Sequence, residues 1–324
     1  MKSFVIKSLV FLMPVFILLY PLDLYISKNL KESGTFVTGE FMIWNDIYNH
    51  KINQDILLYG ASRAIYLNPS IFEDSLKTTC YNLGINGLSF PHIYLRHREL
   101  IKHNKWPKCI ILSLDSFSLM KGVNLFNSDQ FLPYMFGNEN FRQYLKKVNR
   151  FTIFDYYVPL IRYYGRRRAI QEAVKCSLPS YINMPLRYRG YMVLEMDWTD
   201  DLSVAQDSLG QMQVINDHSS LALFDEFLKE CKNQNTQVVF VNTPEYIEGQ
   251  LFIKNRKEII DTYTKFSEKY DILFLDYSND KICYSREYFY NSQHLNNLGA
   301  ELFNNKLVSD LKRENKQHKF LTDF

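Results

Sequence analysis

The sequence predicts an α/β fold: a doubly wound, three-layer α/β/α sandwich around a parallel sheet, with an apolar N-terminal helix and a helical insertion. Three observations predict it. Five short apolar runs, "DILLYG" (55–60), "TTCYNLG" (78–84), "KCIILSLD" (108–115), "TQVVFVNTP" (236–244) and "YDILFLDYS" (270–278), read as strands buried on both faces and hence parallel. Between them stand the helical patterns "SFPHIYLRHRELIKHN", "SSLALFDEFLKECKNQN" and "NRKEIIDTYTKFSEKY", the last two with apolar residues at helical period and charges on the other face. Strand–helix alternation of this kind closes through right-handed crossovers.

Taken in order, the first element is "FVIKSLVFLMPVFILLYPL", about nineteen mostly apolar residues interrupted by Lys7, enough at ~1.5 Å per residue to cross a ~30 Å hydrocarbon core. It predicts a transmembrane signal anchor over residues 1–22. Lys2 and Lys7 precede the uninterrupted part, which favours an N-terminus in the cytoplasm and the rest of the chain outside. A cleaved signal peptide and a buried helix are the rivals, and "LLYPLDLYISKN" offers no small-x-small cleavage site. Residues 23–54 follow as a polar, aromatic-bearing juxtamembrane segment with no flexible linker, and residues 55–324 as the α/β domain.

Residues 120–215 break the alternation and read as a mainly helical insertion, a lid or recognition cap near the strands' carboxyl ends. Its Arg166, Arg167, Arg168, Arg187 and Arg189 suit an anionic sugar, a phosphate or a headgroup, or else form a solvated charged face.

Composition removes several function classes. A net charge of +3 over 324 residues lacks the footprint of a nucleic-acid binder. Five widely spaced cysteines form no metal pattern or disulfide framework, and Cys109 inside "CIILSL" reads as a small buried hydrophobe. His92, His97 and His103 share one predicted helix at spacings of five and six, wrong for a metal pair, and read as solvent-facing or capping residues. The many aromatic residues read first as core.

Three stretches are expected to meet at the carboxyl edge of the sheet. Ser62 ends the first strand, where a helix starting behind it would favour an oxyanion. "YNLGING" (81–87) ends the second, and its glycines allow close backbone approach. "FYNSQHLNNLGAELFNNKL" (289–307) places His294 just before a helix, where it can serve a serine hydroxyl as general base.

The blocks "LYGASRA", "YNLGING" and "NSQHLNNLGAELF", in that order, resemble the SGNH/GDSL hydrolase superfamily. They are similar in particular to its membrane-anchored bacterial members related to alginate O-acetylation proteins and to the D-alanyl transfer protein of teichoic acid synthesis. The resemblance covers most of residues 55–313 outside the insertion. It implies a serine nucleophile, oxyanion donors from that serine's amide, a second-block glycine and a third-block asparagine, and a final histidine with an Asp three residues before it. Ser62 matches the nucleophile, Gly87 the glycine and His294 the base. Two positions depart: Asp115 and Ser116 stand where the asparagine is expected, and Asn291 stands in the Asp position.

An ionised Asp115 would weaken an oxyanion hole, and Asn291 offers the imidazole no charge. A backbone carbonyl, or Asp276 at the end of the fifth strand, is the candidate substitute. Arg63 and Asn86 are the candidate substrate-binding residues. The resemblance implies a membrane-anchored, outward-facing esterase or O-acyltransferase, needing no metal or organic cofactor, that acts on a cell-surface or exported glycan from a bacterial inner membrane. The alternative is a catalytically impaired SGNH-fold protein that binds a glycan or a membrane acyltransferase partner. A cytosolic lipase conflicts with the anchor.

Overall fold

The computed structural model describes residues 2–87, 89–120, 127–145, 151–192 and 196–318. Residues 121–126, 146–150 and 193–195 of the expected insertion lie outside the described residues. The chain divides into two compact units, Met1–Asn45 with Val123–Leu186, and Asp46–Gly122 with Arg187–Phe324.

The second unit holds a five-stranded parallel sheet in the order β2-β1-β3-β4-β5, with β1 Ile56–Tyr59, β2 Cys80–Asn82, β3 Cys109–Leu114, β4 Gln237–Asn242 and β5 Leu273–Asp276. Each strand falls within one of the five apolar runs. The period-2 pleat sends Ile56 and Leu58 to one face and Leu57 and Tyr59 to the other. On the first face Ile56, Leu58, Ile111 and Val239 pack with Phe72 and Leu76 of helix Pro69–Leu76 and with Phe303, Leu307 and Leu311 of helix Asn297–His318. The opposite face is aromatic: Tyr59 stacks on Phe227, and Phe240 meets Phe224, both from helix His218–Asn233. Phe90 of helix Phe90–His103 and Phe266 of helix Arg256–Tyr270 extend that cluster. Helices on both faces complete the three layers.

Strand order reverses direction between β2 and β3, on either side of β1. In open α/β sheets such a switch point opens the crevice where ligands bind, at the carboxyl ends of the strands. Ser62 lies three residues past the end of β1, at that position.

The helix Phe90–His103 corrects the expectation for its histidines. His92 and His97 are buried rather than solvent-facing, in a helix that packs against helix His218–Asn233. His97 accepts from or donates to the Tyr59 hydroxyl at 3.0 Å and stands edge-on to Phe227. Burial pushes their pKa values down, to about 4 for His92 and about 3 for His97.

In the first unit, residues 2–31 form one helix that continues nine residues past the expected anchor. Among the described residues no helix is long and apolar enough to cross a membrane, so the transmembrane part of the expected fold is not established. The side chains of residues 2, 3, 5, 8–10, 12, 15 and 16, which make up much of the apolar stretch, lie outside the described residues. Beyond residue 22 the helix is anchored by chemistry: Asp23 takes a two-pronged ion pair from Arg162, with Nη1–Oδ2 2.7 Å and Nη2–Oδ1 2.6 Å. The segment expected to be polar also carries core, since Phe41 and Trp44 are fully buried and Trp44 packs on Phe141 at 5.4 Å. Residues 139–145, 153–157 and 167–176 of the insertion are helical and belong to this unit, whereas residues 187–215 belong to the sheet unit.

Candidate active site

Ser62 opens a 3₁₀ turn, Ser62–Tyr66, that the sequence forces sharply off the end of β1. Gly60 has φ +147°, and a Cβ there would stand 2.8 Å from the Ser113 carbonyl oxygen. The turn is then held from below by one buried side chain. Asn82 Nδ2 donates to the carbonyls of Ala64 (2.6 Å) and Leu67 (2.7 Å), while its Oδ1 accepts the Gly84 N–H at 2.8 Å.

Gly84 of "YNLGING" makes its close approach within the protein. A Cβ on Gly84 would lie 2.9 Å from Ile65 N, so the close approach is to the serine turn rather than to a reacting group. Behind this loop Arg96 and Arg187, both buried, donate to the Gly84 carbonyl at 3.3 and 3.1 Å. Gly190, at φ +79°, lets its backbone press on Asn82, where a Cβ would fall 1.7 Å from the Asn82 carbonyl oxygen.

His294 reaches the serine from an antiparallel pair, β6 Phe289–Asn291 and β7 His294–Leu295. Its Nε2 lies 2.7 Å from Ser62 Oγ, and its Nδ1 lies 2.9 Å from Asn291 Oδ1. The protonation pattern follows from the donors. Asn291 Oδ1 also accepts the backbone N–H groups of Gln293 (3.0 Å) and His294 (2.9 Å), which can only donate, so this atom is the amide oxygen. Nδ1 must then carry the proton, which leaves the Nε2 lone pair facing the Ser62 hydroxyl. Tyr290 stacks on the imidazole at 5.3 Å, and its hydroxyl shares a 2.9 Å hydrogen bond with Tyr66.

Burial, and secondarily the Arg63 guanidinium, push the His294 pKa down to about 3. The base is thus neutral and ready at pH 7, at the cost of basicity, since an ideal general base has a pKa near the working pH. Arg63 is itself buried, with Nη2 3.0 Å from Glu245 Oε1. Its charge acts on the imidazole from inside the protein instead of reaching out to a substrate.

The other expected residues fall elsewhere. Asp115 is buried at the end of β3, and its Oδ1 accepts the Phe117 N–H at 2.8 Å. Gly87 lies in an exposed turn at φ +67°, beside the half-buried Asn86. Among the described residues no hydrogen bond joins Gly87 or Asp115 to Ser62. Asp276 is committed to Asn242 (2.7 Å) and to the Ser278 N–H (3.0 Å), and the group that orients His294 is Asn291. Of the insertion's arginines, Arg166 pairs with Asp129, Arg189 with Glu73, and Arg167 and Arg168 are exposed.

The structure therefore brings together Ser62, His294 and Asn291. Sequence reading passed over Asn82, Tyr290 and the 187–190 turn; only the asparagine and glycine of "YNLG" hinted that a turn had to nest there. All five cysteines are buried thiols, and among the described residues no cluster of three or more His, Cys, Asp or Glu side chains is placed to hold a metal.

A five-stranded, doubly wound α/β domain with a serine–histidine–asparagine constellation at its switch point is the class these observations define. No protein-family model matches the chain, and no curated protein matches it. Two solved structures share a distant likeness. A Bacteroides fragilis NCTC 9343 protein assigned as an acylhydrolase aligns at a TM-score of 0.38 and 10% identity, over 80% of this chain and 86% of its own. A Streptococcus pneumonia protein assigned as a platelet activating factor aligns at a TM-score of 0.38 and 11% identity, over 84% of this chain and 90% of its own. At that level the likeness leaves family and activity to be argued from the site itself.

Proposed function

We propose that this chain is a serine-dependent acyl-transfer enzyme, an esterase or O-acyltransferase, in which Ser62 is the nucleophile and His294 the general base. The observation that carries the reading is the 2.7 Å contact from Ser62 Oγ to a His294 Nε2 whose tautomer is set by Asn291. In the first half-reaction Ser62 Oγ bonds to the ester carbonyl carbon as its proton passes to Nε2 and the carbonyl electron pair moves to oxygen. The Ser62 N–H, at the head of the 3₁₀ turn, is the donor we assign to that oxyanion. Collapse expels the alcohol, which leaves with the proton held on Nε2. Water or an acceptor hydroxyl then enters the same way, releasing the acid or forming a new ester.

Asn291 is not equivalent to the amide that disables a serine protease. There an Asp-to-Asn change costs about 10⁴ in rate because it imposes the wrong tautomer. Here Oδ1 is pinned by two backbone N–H groups, so the tautomer is right and only the stabilisation of the imidazolium is reduced, as in the Cys-His-Asn arrangement. The test is a fluorophosphonate probe on the purified protein: labelling at Ser62 that vanishes in Ser62→Ala supports the reading, and undiminished labelling of Ser62→Ala overturns it.

We further propose that the N-terminal helix anchors the protein in a membrane with the sheet unit outside, acting on a cell-surface glycan. What supports the anchor is that the described apolar side chains over the helix's residues 4–18 are exposed, Phe4 at 75%, Phe11 at 78% and Leu18 at 73%, with Lys2 and Lys7 at its start. A glycan hydroxyl is the acceptor this location favours. Release of the protein from membranes by alkaline carbonate would remove that reading. A second reading, ligand binding without turnover, is favoured by Asn291, which offers the His294 imidazole no charge, and the same probe experiment separates it.

A further inference from the structure

Asn291 carries no charge, yet a carboxylate stands behind it. Asp201 Oδ2 lies 3.3 Å from Asn291 Nδ2, on the side of the amide opposite His294. The acid is held there. Thr199 Oγ1 donates to Asp201 Oδ1 at 3.0 Å, and the Thr199 N–H donates to the Tyr290 carbonyl at 2.8 Å, which fixes residues 199–201 beside β6. The charge is also felt in the site, since Asp201 contributes to the raised pKa of Tyr290, whose ring stacks on the imidazole.

We propose that Asp201 is a positioning residue for the reaction, the outer member of a Ser62–His294–Asn291–Asp201 chain in which the acid acts on the base through an amide. This rests on the acyl-transfer reading of Ser62 and His294. The amide makes the relay directional. Its Nδ2 donates to the carboxylate, which holds Oδ1 toward Nδ1, and the polarised Oδ1 becomes a better acceptor for the Nδ1 proton as positive charge develops on the imidazole. No proton needs to leave the ring on that side. Such second contacts tune a histidine by fixing its tautomer and raising its basicity. Arg63, Tyr66 and Tyr290 are the other charged or titratable groups around the ring, and Arg63 opposes Asp201 in sign.

Asp201 is exposed and meets Asn291 through one hydrogen bond, so the expected effect is modest, about fivefold. The experiment uses the full chain with p-nitrophenyl acetate and four variants. Asp201→Ala should lower kcat about fivefold with KM unchanged, and Asp201→Asn, which keeps an acceptor, should fall between it and the parent. The double variant Asn291→Asp/Asp201→Asn moves the carboxylate onto the imidazole, and should restore kcat to at least the parent value while shifting the acid limb of kcat/KM to higher pH. A role confined to the start of helix Asp201–Leu209 lowers stability in Asp201→Ala and leaves the acid limb in place, whereas loss of the relay moves that limb to lower pH. Parent-like kcat and pH profile in Asp201→Ala, with Ser62→Ala inactive, overturns the relay and leaves the acyl-transfer reading standing. Unchanged turnover in Ser62→Ala removes the reading beneath it.

Discussion

Among the described residues each unit holds an arginine–carboxylate pair with both side chains buried, and the two are built to opposite standards. In the helical unit Arg162 meets Asp23 through two bonds, adds the Leu132 carbonyl at 2.6 Å and Ser27 at 3.0 Å, and lies over the Phe136 and Tyr163 rings at 4.9 Å. In the sheet unit Arg63 approaches Glu245 at 3.0 Å, but neither Nη atom is aligned for a hydrogen bond, and Glu245 Oε2, Thr243 Oγ1 and Arg256 Nε are likewise unsatisfied among the described residues. A buried charge is tolerated when its bonds are complete, and an incomplete one is a cost the fold keeps only where something else is gained. Ser62 and His294 stand beside the incomplete pair. The difference teaches that the first pair is scaffold and the second is part of the site's electrostatics.

The sharpest way to break that comparison is at the complete pair. Arg162→Ala leaves Asp23 buried and unpaired, and should cost about 3–5 kcal/mol in chemical denaturation. Replacing both partners together, Asp23→Leu with Arg162→Met, should recover most of it, because the cost lies in the orphaned charge. A loss of activity without a loss of stability in Arg162→Ala would erase the distinction.

How much of this could be read from the chain follows the same divide. The sheet was legible because parallel strands buried on both faces leave unbroken apolar runs, and Ser62 and His294 were legible because chemistry restricts their neighbours. The paired sides of the site were not. Asn82 reads as a loop asparagine until its amide is seen spanning two carbonyls of the serine turn, and Asp201 lies 90 residues before Asn291, inside a stretch that looks like a helical insertion. His92 and His97 misled for a related reason: spacing along one helix reports which residues share a face, and says nothing of what packs against that face, as Tyr59 and Phe227 do at His97.

Breaking the incomplete pair should do less to stability and more to chemistry. In Arg63→Met, Glu245 keeps a second cation, Arg256, at 3.7 Å, so the expected cost is about 1–3 kcal/mol, below that of Arg162→Ala. The His294 pKa should rise, since Arg63 is the charge that lowers it after burial. The acid limb of kcat/KM would then move to higher pH, read with a neutral ester substrate. An unmoved limb would mean that burial alone sets the base, and the Arg63–Glu245 pair would return to the scaffold.

The smallest effect comes from buried groups that hold no charge at all, and it bounds how much acid sensitivity belongs to the ion pairs. Folding depresses His92 to about 4 and His97 to about 3, whereas the unfolded chain titrates near the ordinary value of 6.5. Between those values the unfolded state binds more protons, so this stability is complete above about pH 6.5 and is lost as pH falls, by up to about 1.4 kcal/mol per pH unit for each histidine. Carboxylates as a class titrate lower, at about pH 4. The melting temperature should therefore fall between pH 7 and pH 5.5, and His97→Gln should flatten that slope by about a third, since His294 is depressed in the same way and one of three such histidines no longer titrates. A slope that survives His97→Gln unchanged would assign the acid sensitivity to the charged pairs instead.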